Sequence, residues 1–163
     1  MRKIIIGIFG PGETATPSDR ENAYNLGQLV ARQDWILLTG GRKVGVMDAA
    51  SRGAKSAGGL TIGILPGNDS DDVSDAVDLA IATGLGNARN SINALTARVV
   101  VACGMGLGTA SEVALGLKNG KKVILLNSTQ AAETFFLSLA PELISIAKDP
   151  ESAIDLIKYI LKQ

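Results

Sequence analysis

Four times along this chain a short apolar run ends just before a glycine, and a helix-forming stretch follows; the glycines are Gly10, Gly40, Gly84 and Gly104. That alternation constrains the fold more than any other feature. Strands separated by whole helices do not pair as hairpins; they pair in parallel through right-handed crossovers. Strands are expected at Lys3 to Phe9, Trp35 to Leu38, Leu60 to Leu65, Leu79 to Ala82, Arg98 to Cys103, Lys122 to Leu126 and Ile144 to Ala147. Helices are expected from a cap at Ser18 or Asp19 to about Gln33, then over Val44–Ala57, Gly86–Ala97, Thr109–Lys118, 129–138 and 150–162. The apolar strands, such as Val99-Val100-Val101, suit a sheet buried on both faces. The expected fold class is α/β: a Rossmann-like doubly wound parallel sheet of about six or seven strands with helices on both faces, one domain over residues 1–163. In such sheets ligands sit beyond the carboxyl ends of the strands, where the four glycine turns fall.

Composition excludes several functions. Sixteen basic residues balance sixteen acidic ones, which argues against nucleic acid and anionic membrane as partners. No apolar run has the length of a membrane span. Met1-Arg2-Lys3 and the isoleucines after it could open a signal peptide, but the run stops at Gly10-Pro11-Gly12, so a first strand is expected. The chain has one cysteine, Cys103, and no histidine. Internal disulfides, a cysteine-based metal site and histidine-activated nucleophiles drop out, and no metal site is expected. A reducing cytoplasm fits best.

Four loops carry the candidate chemistry. Gly104-Met105-Gly106-Leu107-Gly108-Thr109-Ala110-Ser111-Glu112 leads from a strand into a helix. Its glycines let backbone approach an anion, the helix start offers free N–H groups, and Thr109 can add a hydroxyl. The Thr109–Glu112 spacing also fits a plain capping box, which would explain the segment without a ligand. Thr39-Gly40-Gly41-Arg42-Lys43 joins another strand to its helix, with Arg42 either pairing with a phosphate or solvated. Arg89, in Gly84-Leu85-Gly86-Asn87-Ala88-Arg89-Asn90, stands in a first helical turn, where the helix dipole disfavours a cation; an anionic partner, or an acidic loop, would account for it. Gly10-Pro11-Gly12-Glu13-Thr14 is a looser turn of the same kind.

Together these segments resemble the superfamily that holds the cytokinin-activating LOG proteins, often labelled lysine-decarboxylase-like, and the molybdenum cofactor carrier proteins. The LOG pattern P-G-G-x-G-T-x-x-E is matched by Gly104 to Glu112, with Gly104 for Pro and Met105 for the first Gly. The pattern G-G-G-x-x-G-L-M-G is matched from Gly40 to Asp48, and the LOG Arg-Lys pair by Arg89-Asn90. The resemblance spans about residues 3 to 127 and is closer to the carrier branch. It implies a protein that binds the phosphorylated pterin of molybdenum cofactor, or a related nucleotide, and delivers it, with a molybdoenzyme as acceptor. With the first glycine turn added to the matched motifs, the residues expected to bind are Gly10, Gly12, Gly40, Gly41, Arg42, Arg89, Gly104, Gly106, Gly108, Thr109 and Glu112. The alternative is a LOG-like hydrolase that splits nucleoside 5′-monophosphates to base and ribose 5-phosphate, with Arg89 and Glu112 as its catalytic residues. The departures at Asn90 and Gly104-Met105 weigh against turnover. Relatives associate through helices beside the site, so a homo-oligomer is expected; helix 150–162, if it folded back, could instead cover the apolar faces within one chain.

Overall fold

Each expected strand forms. They are β1 (Ile5–Phe9), β2 (Ile36–Thr39), β3 (Thr61–Leu65), β4 (Leu79–Ala82), β5 (Val99–Cys103), β6 (Val123–Leu126) and β7 (Ile144–Ala147). The helices are α1 (Pro17–Arg32), α2 (Gly45–Ser56), α3 (Arg89–Thr96), α4 (Leu107–Lys118), α5 (Gln130–Leu139) and α6 (Pro150–Leu161). The computed structural model describes residues 3–163; Met1 and Arg2, the first two residues of the expected domain, lie outside the described residues.

All seven strands pair in parallel, in the order β4-β3-β2-β1-β5-β6-β7. The chain winds outward from β1 to β4, then returns to the middle and winds the other way from β5. The order therefore reverses between β1 and β5, where Phe9 registers against Ala102. Helices cover both faces. α1, α2 and α6 pack on one through Leu26, Val30, Ala50, Ala54, Ile154 and Ile157, all buried. α4 and α5 pack on the other through Val113 and Phe136, beside Val100 and Leu125 of the sheet.

Several boundaries move for local reasons. α1 starts at Pro17 because Thr16 is its cap: the Thr16 hydroxyl accepts from the Asp19 N–H, and the Asp19 carboxylate accepts from the Thr16 N–H. Asp19 is thus the third helical residue of a capping box, not the cap. The helix expected from Gly86 opens as one 3-10 turn, Gly86–Ala88, before α3. α4 opens at Leu107, ahead of the expected Thr109, with Gly106 in the cap position.

Two glycines inside helices set the spacing of α1 and α2. A Cβ on Gly27 would strike the Ala50 carbonyl, and one on Gly53 would strike the Tyr24 carbonyl. The helix backbones touch at these points, so no side chain fits between them.

Candidate functional site

A cleft opens at the β1/β5 reversal, the place where doubly wound sheets bind ligands. Gly10 makes it possible on the β1 side, since a Cβ there would run into the Cys103 carbonyl at the end of β5. Of the residues expected to bind ligand, Gly10, Gly12, Gly40, Arg42, Arg89, Gly106, Gly108, Thr109 and Glu112 all line this cleft. Gly41 and Gly104 do not. Both have positive φ, +79° and +75°, and both serve the loops from behind. Gly41 packs against Gly63, and Gly104 lies against the Asp19 carboxylate, where a Cβ would sit 2.7 Å from its carboxyl carbon. Asp19 also accepts from Asn127 at 2.6 Å, so the base of the glycine loop rests on a buried carboxylate.

One wall is the start of α4. The first turn of a helix has N–H groups without intrahelical acceptors, and Gly106 has no side chain to satisfy them. The amides of Leu107, Gly108 and Thr109 therefore form a donor-rich end carrying the positive pole of the helix. Thr109 is 2% exposed, and its Oγ1 is buried with no hydrogen-bond partner among the described residues. A buried hydroxyl left unpaired is costly.

The floor joins α3 to α4. Arg89 and Glu112 are both buried, with Arg89 Nη1 3.7 Å from Glu112 Oε1. Asn93 donates to Glu112 Oε1 at 2.8 Å, and Arg89 Nη1 donates to Asn90 Oδ1 at 3.0 Å. Asn90 in turn donates to Ser111 at 2.7 Å. Glu112 does not cap Thr109 as the spacing allowed, because the helix begins two residues before Thr109 and turns Glu112 inward. Arg89 likewise sits inside rather than on the surface. Its guanidinium passes over Gly40, where a Cβ would come within 2.9 Å of Nη1. Its Nε has no partner among the described residues.

Burial dominates the charge states here. It pushes the Glu112 carboxyl up to about 7, against the pull of the Asn93 hydrogen bond and the Arg89 charge. Burial also lowers Arg89, which Glu112 partly offsets. Arg42, at the mouth, is held by carboxylates instead: it donates to Asp72 at 2.5 Å and to Glu13 at 3.0 Å. Those contacts raise Arg42, the Asp72 hydrogen bond most. So Arg42 and Glu13 form a half-exposed ion pair at the rim, while Arg89 is the cation on the floor. Cys103 is buried, its thiol pushed up to about 12 by burial, and donates to the Asp19 carbonyl; it is packing, not a ligand. No group of three or more His, Cys, Asp or Glu suited to a metal ion occurs among the described residues.

Sequence reasoning missed Asn93. Its one visible signal is helical spacing, four residues after Arg89 on the same face. Met47 and Leu107, which line the cleft, read as ordinary apolar positions.

The molybdenum cofactor binding protein of Rippkaea orientalis superimposes with a TM-score of 0.97 at 62% identity, over 99% of each chain. The molybdenum cofactor carrier protein of Chlamydomonas reinhardtii superimposes with a TM-score of 0.95 at 52% identity, over 99% of this chain and 100% of its own. An uncharacterised protein of Archaeoglobus fulgidus is 39% identical over 142 residues, 87% of this chain and 92% of its own. The pattern that defines the SLOG cluster4 family matches residues 3–154, and the chain belongs to that family.

Proposed function

We propose that this chain binds molybdenum cofactor by its phosphate at the start of α4 and carries it to an acceptor molybdoenzyme in the cytoplasm. The observation that carries the reading is the partnerless Thr109 hydroxyl, set among the first-turn amides of α4 and beside Arg89. A phosphomonoester supplies the acceptors these donors lack, so the residues fit the phosphate end of the ligand. Gly106 and Gly108 let the backbone reach the phosphate; Gly10, Gly12 and Gly40 keep the opposite wall open for the pterin; Arg42 and Glu13 stand at the entrance. Glu112 holds Arg89 toward the cleft or accepts from a ligand donor. The likeness to the Rippkaea and Chlamydomonas proteins supports the choice of molybdenum cofactor over other phosphates.

The test is chemical identification of what the purified protein holds. After oxidation, bound pterin is released and read by its fluorescence and mass; a stoichiometric pterin phosphate is the expected result, and a nucleotide or nothing contradicts the reading. A second arm addresses turnover, because Arg89 and Glu112 meet in the cleft. Incubation with adenosine 5′-monophosphate is expected to release no free adenine. Steady release abolished by Glu112→Ala would make the protein a hydrolase.

A further inference from the structure

We propose that anion binding in this cleft is coupled to a proton at Glu112: the bound phosphate takes Arg89 from Glu112, and the Glu112 carboxylate takes up a proton from solvent. This rests on the phosphate site proposed above and adds a condition to it. Among the described residues that line the cleft, Arg89 is the sole floor cation, and it is already shared with Glu112 at 3.7 Å. The other charged residues of the lining are Glu13 and Arg42, which neutralise each other at the rim, with Asp72 beyond them holding Arg42 from the far side. α3 faces Glu112 with Arg89 and the neutral Asn90 and Asn93. Among the described residues no lysine lines the cleft.

A dianion placed here meets a buried carboxylate within reach of the same guanidinium. With Glu112 ionised, the phosphate competes for Arg89 and is repelled in a water-poor setting; with Glu112 protonated, the full charge of Arg89 faces the phosphate. Asn93 donates its amide to Glu112 Oε1, and its own Oδ1 has no partner among the described residues, so turning the amide over would present an acceptor to the protonated carboxyl. Burial already brings the carboxyl near the neutral range, so the proton is available at modest cost. By linkage, an anion that favours protonated Glu112 binds more weakly as pH rises through that range, and binding above it consumes a proton.

Sulfate is the probe, since it keeps its charge from mild acid to alkali while a phosphomonoester titrates. Calorimetry gives its affinity, and titrations in two buffers of different ionisation enthalpy give the protons taken up. For the native protein, affinity is expected to fall at least about fivefold between pH ~6.5 and ~8.5, with roughly half to one proton absorbed per site at the upper end. Glu112→Gln, which fixes the neutral form, is expected to bind about as tightly as the native protein does at the acid end and to lose that slope. The proton count needs only the native protein, so it stands even if the variant folds poorly. Sulfate binding with no pH slope and no proton uptake overturns the coupling and leaves the phosphate site standing. Absence of sulfate binding at every pH, in both proteins, overturns both.

Discussion

Thr109 is where the two readings of the glycine loop separate. A helix cap would use its hydroxyl inside the protein; a phosphate site leaves it free, as it is here. Thr109→Val keeps the shape and removes the hydroxyl, so it is expected to weaken pterin binding by about tenfold or more while leaving thermal stability equal or slightly raised, because an unpaired buried group is lost. Equal affinity in the valine variant would return Thr109 to a structural role. Glu112 makes a second residue-level statement. Its folded carboxyl is raised from the ordinary glutamate value to about 7 by burial. The folded state therefore holds more protons than the unfolded state between roughly pH 4.5 and 7, and Glu112's contribution to stability falls as pH rises through that window, by about 3 kcal/mol in all. Urea midpoints across the window should show a downward slope that Glu112→Gln removes; a slope unchanged in the variant assigns it to other groups. That Gly106, Gly108, Thr109 and Arg89 share one cleft was foreshadowed in the sequence, because glycine spacing and a cation at a helix start are local signals. Asn93 was not, since an asparagine within a helix says nothing until the residue across the groove is known. The exchange of Glu112 from cap to floor also needed the true start of α4, which turns on Gly106, a residue with no capping group to announce it.

Helix boundaries shifted by one to three residues, the most at the start of α3, but every strand and helix expected from the alternation exists, because apolar period and glycine or proline stops act locally. The contact between α1 and α2 was invisible to that reading: Gly27 and Gly53 look like weak points in helices and are in fact the places where two backbones meet. Gly53→Ala is expected to destabilise by about 1–3 kcal/mol through forced separation of the helices. Gly116, inside α4, gives the contrast. A Cβ there has its nearest neighbours at 3.6 Å, ordinary contact, so Gly116→Ala should stabilise by about 0.5–1 kcal/mol through helix propensity alone. Thermal melts of the two variants check the pair; shifts of the same sign would refute the packing argument. At this scale α6 also answers a question left open by the sequence. It packs on the α1 side of the sheet through Ala153, Ile154 and Ile157, so it does not cover α4 or α5.

The outer surface between α4 and α5 consequently stays largely apolar in the isolated chain: Phe135 and Leu139 are 57% and 65% exposed, with Ala114 and Leu117 beside them. Faces of this kind call for cover, and two-fold assembly is the commonest source. Light scattering at micromolar concentration is expected to give a multiple of the chain mass, reduced by Phe135→Asp; a monomer mass for the native protein would leave these residues as plain surface. The whole-molecule claim, a phosphorylated pterin seated over the start of α4, is tested most directly at Gly108. A Cβ there meets nothing nearer than the Asn90 amide at 4.0 Å, so a larger side chain fits the fold and projects into the space assigned to the phosphate. The measurement is pterin bound per chain after loading with molybdenum cofactor, native protein against Gly108→Val, with circular dichroism confirming that both are folded. About one pterin for the native chain and almost none for the variant is the expected result; equal loading of a folded Gly108→Val would place the ligand somewhere other than the glycine loop.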